Sequence, residues 1–289
     1  MDLAYIQGIA TFVGIFMVSV LGLSLMTGFT GLFSFGHAAF MSIGAYTAAT
    51  LMMRYNVPFY ISLVAGGFAS AGVSYFIGRV TLNLRGDYFC IATLGFGEAV
   101  RLIFNNITFF GDARGLPGIP RHTTLPIVVI INIIAITFLV GLIRSRHGRN
   151  MIAIREEELA SRIVGIDVLK HRMTSFMIAA FYAGVAGGLW ASHIGFLQPN
   201  MFNLVRSTEL TIMVIFGGIG SITGSVLGTA ILVSLPEIMR GAAEWRMVLY
   251  GVVVVFIIVF RPEGIMGGKE FNLKFLRALK GKVKEKKEV

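Results

Sequence analysis

The chain has 289 residues, of which 55% are hydrophobic and only 14% charged, and its mean hydropathy is +0.78. Soluble domains carry about 25% charged residues, so this composition excludes a large water-soluble catalytic domain and indicates a protein whose main solvent is the lipid bilayer. The single cysteine, Cys90, excludes disulfide frameworks and cysteine-based zinc or iron–sulfur sites.

Nine apolar stretches are candidates for membrane-spanning helices, which need roughly 20 residues each. They lie near residues 8–26, 35–53, 59–79, 88–109, 124–143, 172–191, 207–221, 222–240 and 245–261. We predict an all-α, polytopic membrane protein with about eight to nine transmembrane helices. Discontinuous helices and one re-entrant segment are open alternatives. The membrane domain is expected to cover residues 1–268.

Positive charge is concentrated in two segments, which together hold sixteen of the 25 Lys and Arg residues. One segment is residues 144–172, between two apolar stretches, and the other is residues 261–289, after the last stretch. Such clusters mark cytoplasmic loops. We therefore expect the N-terminus outside the cell and a basic cytoplasmic tail over residues 269–289. Membrane lipid is an expected partner of this charge, and nucleic acid is not.

Glycine and polar residues first interrupt the apolar pattern between residues 28 and 46, around Ser34, Gly36 and His37. A helix break at membrane depth requires that protein or a water-filled cavity satisfies the exposed backbone groups. A half-helix that begins near Ser34 would offer free N–H groups to an anionic substrate group such as a carboxylate. The alternative is close packing by small residues around a hydrogen-bonded histidine.

Ionisable residues occur in two later apolar stretches. Glu98 and Arg101 are three residues apart and share one helix face. They form either a structural ion pair or a polar lining of a translocation path. Glu209 is either solvated at the interface or part of that lining. The glycines of residues 217–228 form either a tight turn between two short helices or close packing faces.

Motifs for enzymatic chemistry are missing from the sequence. No G-x-x-x-x-G-K-[ST] loop for the phosphates of ATP is present, and the five histidines show no metal-binding spacing. There is also no nucleophile elbow. We therefore expect no enzymatic activity, no catalytic residues, no metal and no cofactor.

The arginine-rich segment in mid-chain is polar enough to leave the bilayer but carries a small apolar ridge. A helix over residues 156–164 would present Leu159, Ile163 and Val164 on one face, and Gly165 is a natural helix stop. A ridge of this kind on the cytoplasmic side would fit a groove in a nucleotide-binding subunit. A surface helix covered by its own protein is the alternative.

Five consecutive blocks of the sequence resemble the LivM-type permeases of branched-chain amino acid ATP-binding cassette importers. They are Thr30–Tyr46, Leu84–Arg101, Gly148–Asp167, Phe216–Gly228 and Phe260–Gly264. As an ordered set they cover nearly the whole chain and are highly specific. The Gly-His-Ala-Ala-Phe block, residues 36–40, is shared with related permeases and does not fix the substrate.

The resemblance implies a permease subunit in the bacterial inner membrane. It would pair with a LivH-type second permease, two cytoplasmic ATP-binding subunits and a periplasmic binding protein for leucine, isoleucine or valine. Residues 148–172 would be a cytoplasmic coupling segment similar to the EAA-type loop. The implied ATPase-coupling residues are Glu158, Leu159, Ala160, Ser161, Ile163, Val164, Gly165, Ile166 and Asp167.

We predict an alternating-access mechanism in which the ATPases pull on the coupling segment and the two permeases rock. The candidate residues of the substrate path are Ser34, Gly36, His37, Phe40, Glu98, Arg101 and Glu209. Three alternatives stay open. They are a related permease for urea, short amides or a sugar, an ATP-independent secondary transporter or channel, and a membrane-embedded enzyme.

Overall fold

Helices form nearly all of the regular structure in the described part of the chain. The structure is a computed structural model that describes residues 3–84, 86–238, 251, 255 and 264–266. Its α-helices are α1 (Leu3–Ser24), α2 (His37–Arg54), α3 (Phe59–Thr81), α4 (Asp87–Asn106), α5 (Leu125–Arg144), α6 (Arg146–Glu156), α7 (Glu158–Ile163), α8 (Val168–Ile194), α9 (Leu204–Gly217) and α10 (Ile222–Ile238). Two short strands, β1 (Leu116–Pro117) and β2 (Phe196–Leu197), pair antiparallel. The predicted all-α class is confirmed.

Within the described residues, four helical segments are long and apolar enough to cross a membrane. They are Tyr5–Phe29, Phe59–Thr81, Leu125–Arg144 and Val168–Ile194, and Ile222–Pro236 is a shorter apolar helix. The first eight apolar stretches of the sequence coincide with α1–α5 and α8–α10 to within a few residues. The total of eight to nine crossings and their orientation stay predictions. The ninth stretch, residues 245–261, and the tail, residues 269–289, lie outside the described residues.

The long helix α8 packs against α2 and α3 with the backbones in direct contact. A Cβ atom added to Gly44 of α2 would lie 2.2 Å from the Cα of Gly184, and one added to Gly187 would lie 1.9 Å from the carbonyl oxygen of Met41. Small residues permit this close approach. Helices in lipid lack a hydrophobic driving force for association, so close packing takes its place. The centre of the bundle is therefore built on glycine contacts.

Helix α5 lies at the edge of the bundle. Only 22% of its most apolar stretch is buried, against 72% for the N-terminal helix. Its run of isoleucine and valine is helical because an isolated span in lipid must satisfy its own backbone hydrogen bonds. Two polar contacts hold it in place: Tyr182 Oη donates to the carbonyl of Ala135 over 2.9 Å, and Asn132 Nδ2 donates to the carbonyl of Gly14 over 2.9 Å.

The chain is interrupted between α1 and α2. A π-helical turn, Leu25–Phe29, follows α1, and residues 31–36 are not helical before α2 begins at His37. Gly31 has a φ of +71°, a conformation that side chains with a Cβ rarely adopt. The interruption lies within residues 28–46, where glycine and polar residues interrupt the apolar pattern of the sequence.

A second interruption separates α9 from α10. The sequence left two roles open for its glycines, a tight turn and close helix packing, and both occur here. Gly218 and Gly220 have φ values of +116° and +86° and form the turn. A Cβ atom added to Gly217 would lie 2.3 Å from the carbonyl oxygen of Gly224, so these two glycines pack the helices on either side. The turn and the close packing use different glycines of the same cluster.

The arginine-rich segment contains two helices where one was expected over residues 156–164. Helix α6 ends at Glu156 and α7 covers only Glu158–Ile163. Glu157 between them is extended, with a φ of −152°, and its side chain accepts a hydrogen bond from the N–H of Leu159 at the start of α7. Glu157 therefore caps the start of α7, and the segment divides at this residue.

Candidate functional site

The non-helical residues between α1 and α2 run alongside α4. The N–H of Phe35 donates to Thr93 Oγ1 over 3.2 Å, and Cys90 Sγ contacts the carbonyl oxygen of Phe33 at 3.2 Å. A Cβ atom on Gly36 would lie 2.2 Å from the carbonyl oxygen of Thr93. The absence of a side chain at Gly36 therefore lets the interruption lie directly against α4.

Hydroxyl groups occupy the backbone donors at the start of α2. The N–H of Gly36 donates to Ser34 Oγ over 3.3 Å, and the N–H of Ala38 donates to Ser207 Oγ over 3.0 Å. These are among the donors that the sequence pattern assigned to a substrate carboxylate. In this conformation a carboxylate reaching them has to displace the hydroxyls.

His37 and Phe40 are buried, each with 1% exposure. His37 Nε2 lies 3.2 Å from the carbonyl oxygen of Ser19 in α1. The ring of Phe40 packs against those of Phe96 and Phe176, with centroids 5.1 and 5.3 Å apart. Both side chains therefore join α2 to neighbouring helices in this conformation.

Glu98 and Arg101 form a half-buried ion pair on α4. The Nη2 of Arg101 lies 2.7 Å from Oε2 of Glu98, with side-chain exposures of 25% for the arginine and 34% for the glutamate. Arg101 Nη1 also donates to Asn200 Oδ1 over 2.8 Å. Asn200 lies in a short 3₁₀ turn just before α9, so the ion pair links α4 to the start of α9.

Glu209 forms a similar ion pair on α9, with Arg206. Its Oε2 accepts a hydrogen bond from Arg206 Nη1 over 2.7 Å. The Arg206 guanidinium also lies over the rings of Phe16 and Trp190, 5.1 and 5.2 Å from their centroids. Arginine over aromatic faces is a favourable cation–π contact. Glu209 is therefore paired with an arginine that is held against α1 and α8.

The structure connects these predicted residues through groups that the sequence pattern did not single out. Asn200 and Ser207 join α9 to α4 and α2, and Thr93 caps the interruption. Arg206 carried a recognisable signal, because it precedes Glu209 by three residues, the separation of Glu98 and Arg101. For Asn200, Ser207 and Thr93 the sequence offers no comparable signal.

The apolar ridge of the arginine-rich segment projects from the chain. Leu159, Ile163 and Val164 are 68%, 86% and 80% exposed, and Ala160 is exposed beside them. The described residues therefore do not cover the ridge, which argues against the alternative of a helix covered by its own protein. Large apolar side chains grouped at a surface mark interaction sites.

The opposite side of α7 is fixed to the membrane helices. The carboxylate of Glu158 accepts hydrogen bonds from Arg162 Nη2 at 2.6 Å and from Arg172 Nη2 of α8 at 2.8 Å. Burial raises the pKa of Glu158, but the two arginines outweigh it and hold the pKa below its usual range. Ser161 is buried, with 5% exposure. The ridge and the anchoring side chains thus lie on different faces of α7.

Helix α7 ends as the sequence predicts. Gly165 has a φ of +87° and no neighbouring atom near the position of a Cβ, the conformation that ends many helices. Ile166 is half-buried, and its N–H donates to the carbonyl of Ser161 over 3.0 Å. Asp167 then caps α8 by accepting a hydrogen bond from the N–H of Lys170 over 3.0 Å.

Comparison with known proteins places this architecture among permeases. Residues 5–258 match the family described as branched-chain amino acid transport system / permease component. The chain is 33% identical over 293 residues to the high-affinity branched-chain amino acid transport system permease protein LivM of Salmonella typhimurium, with 89% of this chain and 69% of the relative covered.

More distant relatives belong to two transport systems. The permease protein LivH of Escherichia coli is 27% identical over 284 residues, covering 86% of this chain and 90% of the relative. The fructose import permease protein FruG of Bifidobacterium longum is 24% identical over 232 residues, covering 76% and 64%. No solved structure gives a significant match. Together with the apolar helices, the family match makes the chain a multi-pass membrane protein, and it belongs to the branched-chain amino acid transport system permease family.

Proposed function

We propose that the chain is the permease subunit of an ATP-binding cassette importer that carries leucine, isoleucine and valine across the bacterial inner membrane. The observation that carries the proposal is the family match over residues 5–258, joined to 33% identity with a LivM protein. The exposed ridge on α7 supports it, because a permease of this class needs a contact for a separate energy-supplying subunit.

The same proposal defines the partners. A LivH-type permease would complete the membrane domain, two cytoplasmic ATP-binding subunits would supply energy, and a periplasmic protein would deliver the amino acid. We assign the coupling contact to Leu159, Ile163 and Val164, because an apolar ridge of this size fits a complementary groove. The coupling segment, residues 148–172, would then be cytoplasmic, in agreement with its positive charge.

We place the substrate path beside the interruption between α1 and α2, where it lies against α4 and α9. The half-exposed ion pairs at Glu98 and Glu209 are candidates for its polar lining, because intramembrane charges usually face a cavity or the bundle interior. Ser34, Gly36, His37 and Phe40 would shape the path from the start of α2.

Alternating access is the mechanism that this arrangement supports best. ATP-driven closure of the partner subunits would move α7, and the two permeases would open the path first outward and then inward. A substrate carboxylate would replace the Ser34 and Ser207 hydroxyls at the N–H groups of Gly36 and Ala38, at the start of α2.

A sugar is the second candidate substrate, because the fructose import permease FruG is also a relative of this chain. Its lower identity, 24% against 33% for LivM, makes an amino acid the better-supported cargo. The two substrates differ in the group that the path must accommodate, since only the amino acid carries a carboxylate.

Reconstitution of the assembled importer in proteoliposomes tests the proposal. ATP-dependent uptake of labelled leucine, isoleucine and valine is expected, with fructose and urea carried far more slowly. Transport of fructose in preference to leucine would support the second candidate instead. Flux through the chain alone, under an ion gradient and without ATPases, would identify a secondary transporter and contradict both candidates.

A further inference from the structure

A long-range hydrogen bond joins the coupling segment to the membrane helices. Arg155 lies in the last turn of α6, three residues before Glu158 of α7, and its Nη1 donates to the carbonyl oxygen of Gly28. Gly28 belongs to the π-helical turn Leu25–Phe29 at the end of α1. The two residues are 127 positions apart in the sequence, so the contact is purely tertiary.

Glycines provide the space that the Arg155 side chain occupies. A Cβ atom added to Gly220 would lie 2.7 Å from Arg155 Nη1, and one added to Gly31 would lie 3.3 Å from Arg155 Cγ. Both glycines have positive φ values, +86° and +71°. Two residues in the left-handed region thus flank one arginine, whose guanidinium also pairs with Glu156.

The guanidinium lies where the two interruptions of the membrane helices meet. Gly28 is at the end of α1, Gly220 is in the turn between α9 and α10, and a Cβ on Gly28 would lie 2.7 Å from the N of Gly220. One turn away, Ser225 Oγ donates to Ser24 Oγ over 2.8 Å. One side chain of the coupling segment therefore contacts both interruptions.

These interruptions depart from regular helix, and such positions are where helices can hinge. A π-helical turn departs from the regular helical hydrogen-bond ladder and frequently marks functional sites, and hinge motions are absorbed by a few residues at the ends of elements. Helix α6 holds the arginine firmly, because Met151, one turn before Arg155, and Ile154 next to it are buried at 0% and 2% exposure.

We propose that Arg155 is a positioning residue that transmits movement of α7 to the interruptions at Gly28 and Gly220. This rests on the proposed function, since it assigns a role within the coupling segment. A displacement of α7 reaches α6 through the single extended residue Glu157. The charge-assisted hydrogen bond to Gly28 then carries that displacement to α1, and the contact with Gly220 carries it to the turn between α9 and α10.

The test measures amino acid uptake and ATP hydrolysis together in proteoliposomes that contain the whole importer. Arg155→Ala is expected to lower the uptake per ATP hydrolysed by about tenfold, with ATP hydrolysis itself nearly unchanged. Arg155→Lys, which keeps a charged donor, should recover part of the ratio. Arg149→Ala is the matched control, because Arg149 is on the same helix and donates to the neighbouring Arg144 carbonyl.

A structural role alone would lower the amount of folded complex and leave the uptake per ATP unchanged, and that result would overturn the proposal. If the Arg155→Ala complex does not assemble, Arg155→Gln is the deciding variant. We expect its uptake per ATP hydrolysed to be about threefold below that of the wild type. An unchanged uptake per ATP in this variant would overturn the proposal. A wild-type complex that transports no amino acid would instead contradict the proposed function, so the two failures are distinguishable.

Discussion

The N–H of Ala38 in the first turn of α2 donates a hydrogen bond to the Oγ of Ser207 in the first turn of α9, over 3.0 Å. The residues are 169 positions apart, and both are buried. A helix N-terminus buried in lipid needs a partner for its free N–H groups. Ser207 supplies one from another helix, so the starts of α2 and α9 are held together.

Removing this hydroxyl should loosen both helix starts. We expect Ser207→Ala to lower the free energy of unfolding by about 1 kcal/mol, the usual value for loss of a helix cap, and to reduce transport. Thermal unfolding in detergent measures the first effect. Thr208→Val is the control, because Thr208 Oγ1 donates only to the Leu204 carbonyl within α9. Equal stability of the two variants would contradict the capping role.

The polar lining can be tested at Glu98 and His37. Glu98→Ala leaves Arg101 without its carboxylate, and His37→Ala removes a buried contact to Ser19. We expect each variant to lower uptake by about tenfold, a change of about 1.4 kcal/mol in the barrier, while the amount of folded protein falls less.

The control for this pair is Asn106→Ala, at the exposed end of α4, where Nδ2 donates to the Leu102 carbonyl. Size-exclusion chromatography reports the folded fraction, and labelled leucine reports uptake. Normal transport by both the Glu98 and the His37 variants would favour the packing explanation for these residues.

Gly165 should be intolerant of a side chain because of its backbone conformation. At a φ of +87°, a residue with a Cβ costs about 1–2 kcal/mol, although the surrounding space is open. Gly165→Leu should shift the end of α7 and uncouple ATP hydrolysis from uptake, while membrane insertion stays intact.

Gly141→Leu is a matched control, since Gly141 is a helical residue of α5 that also has open space around it. It should retain the wild-type ratio of uptake to ATP hydrolysis. A wild-type ratio in the Gly165→Leu complex would count against the assignment of α7 as the coupling helix.

The sequence predicted the features that depend on local chemistry. Glycines and polar residues around Gly36 indicated either a helix interruption or close packing, and Leu159 and Ile163 indicated an apolar ridge that was either exposed or covered by the protein itself. The contact of Arg155 with Gly28 could not be predicted from the sequence, because it depends on how helices far apart in the sequence pack together. The division between α6 and α7 was also missed, since it depends on whether the Glu157 side chain caps a helix or faces solvent.

Anchoring of α7 through Glu158 should be insensitive to pH in the physiological range. Because the pKa of Glu158 is held below its usual value of about 4.3, the stability from its ion pairs is fully present above that value and is lost only as pH falls through the lowered pKa. Uptake per ATP should therefore show no transition from Glu158 between about pH 5 and 8. A transition in that range that disappears in Glu158→Gln would contradict this expectation.

The anchor itself is tested at Arg172, which contacts Glu158 from α8 at 2.8 Å. Arg172→Gln should free α7 from α8 and lower uptake per ATP hydrolysed severalfold. Lys170→Gln removes an exposed positive charge from the same turn of α8 and should have little effect. Equal ratios in the two complexes would show that the ion pair does not anchor α7.

Coupling by the proposed mechanism requires that α7 faces the cytoplasm and contacts an ATP-binding subunit. The most direct measurement is labelling of Ile163→Cys, a position that is 86% exposed, in a Cys90→Ser background with a membrane-impermeant maleimide. We expect labelling only from the cytoplasmic side, and protection once the ATP-binding subunits are assembled. Labelling from the periplasmic side alone, or labelling that the ATP-binding subunits do not change, would contradict it.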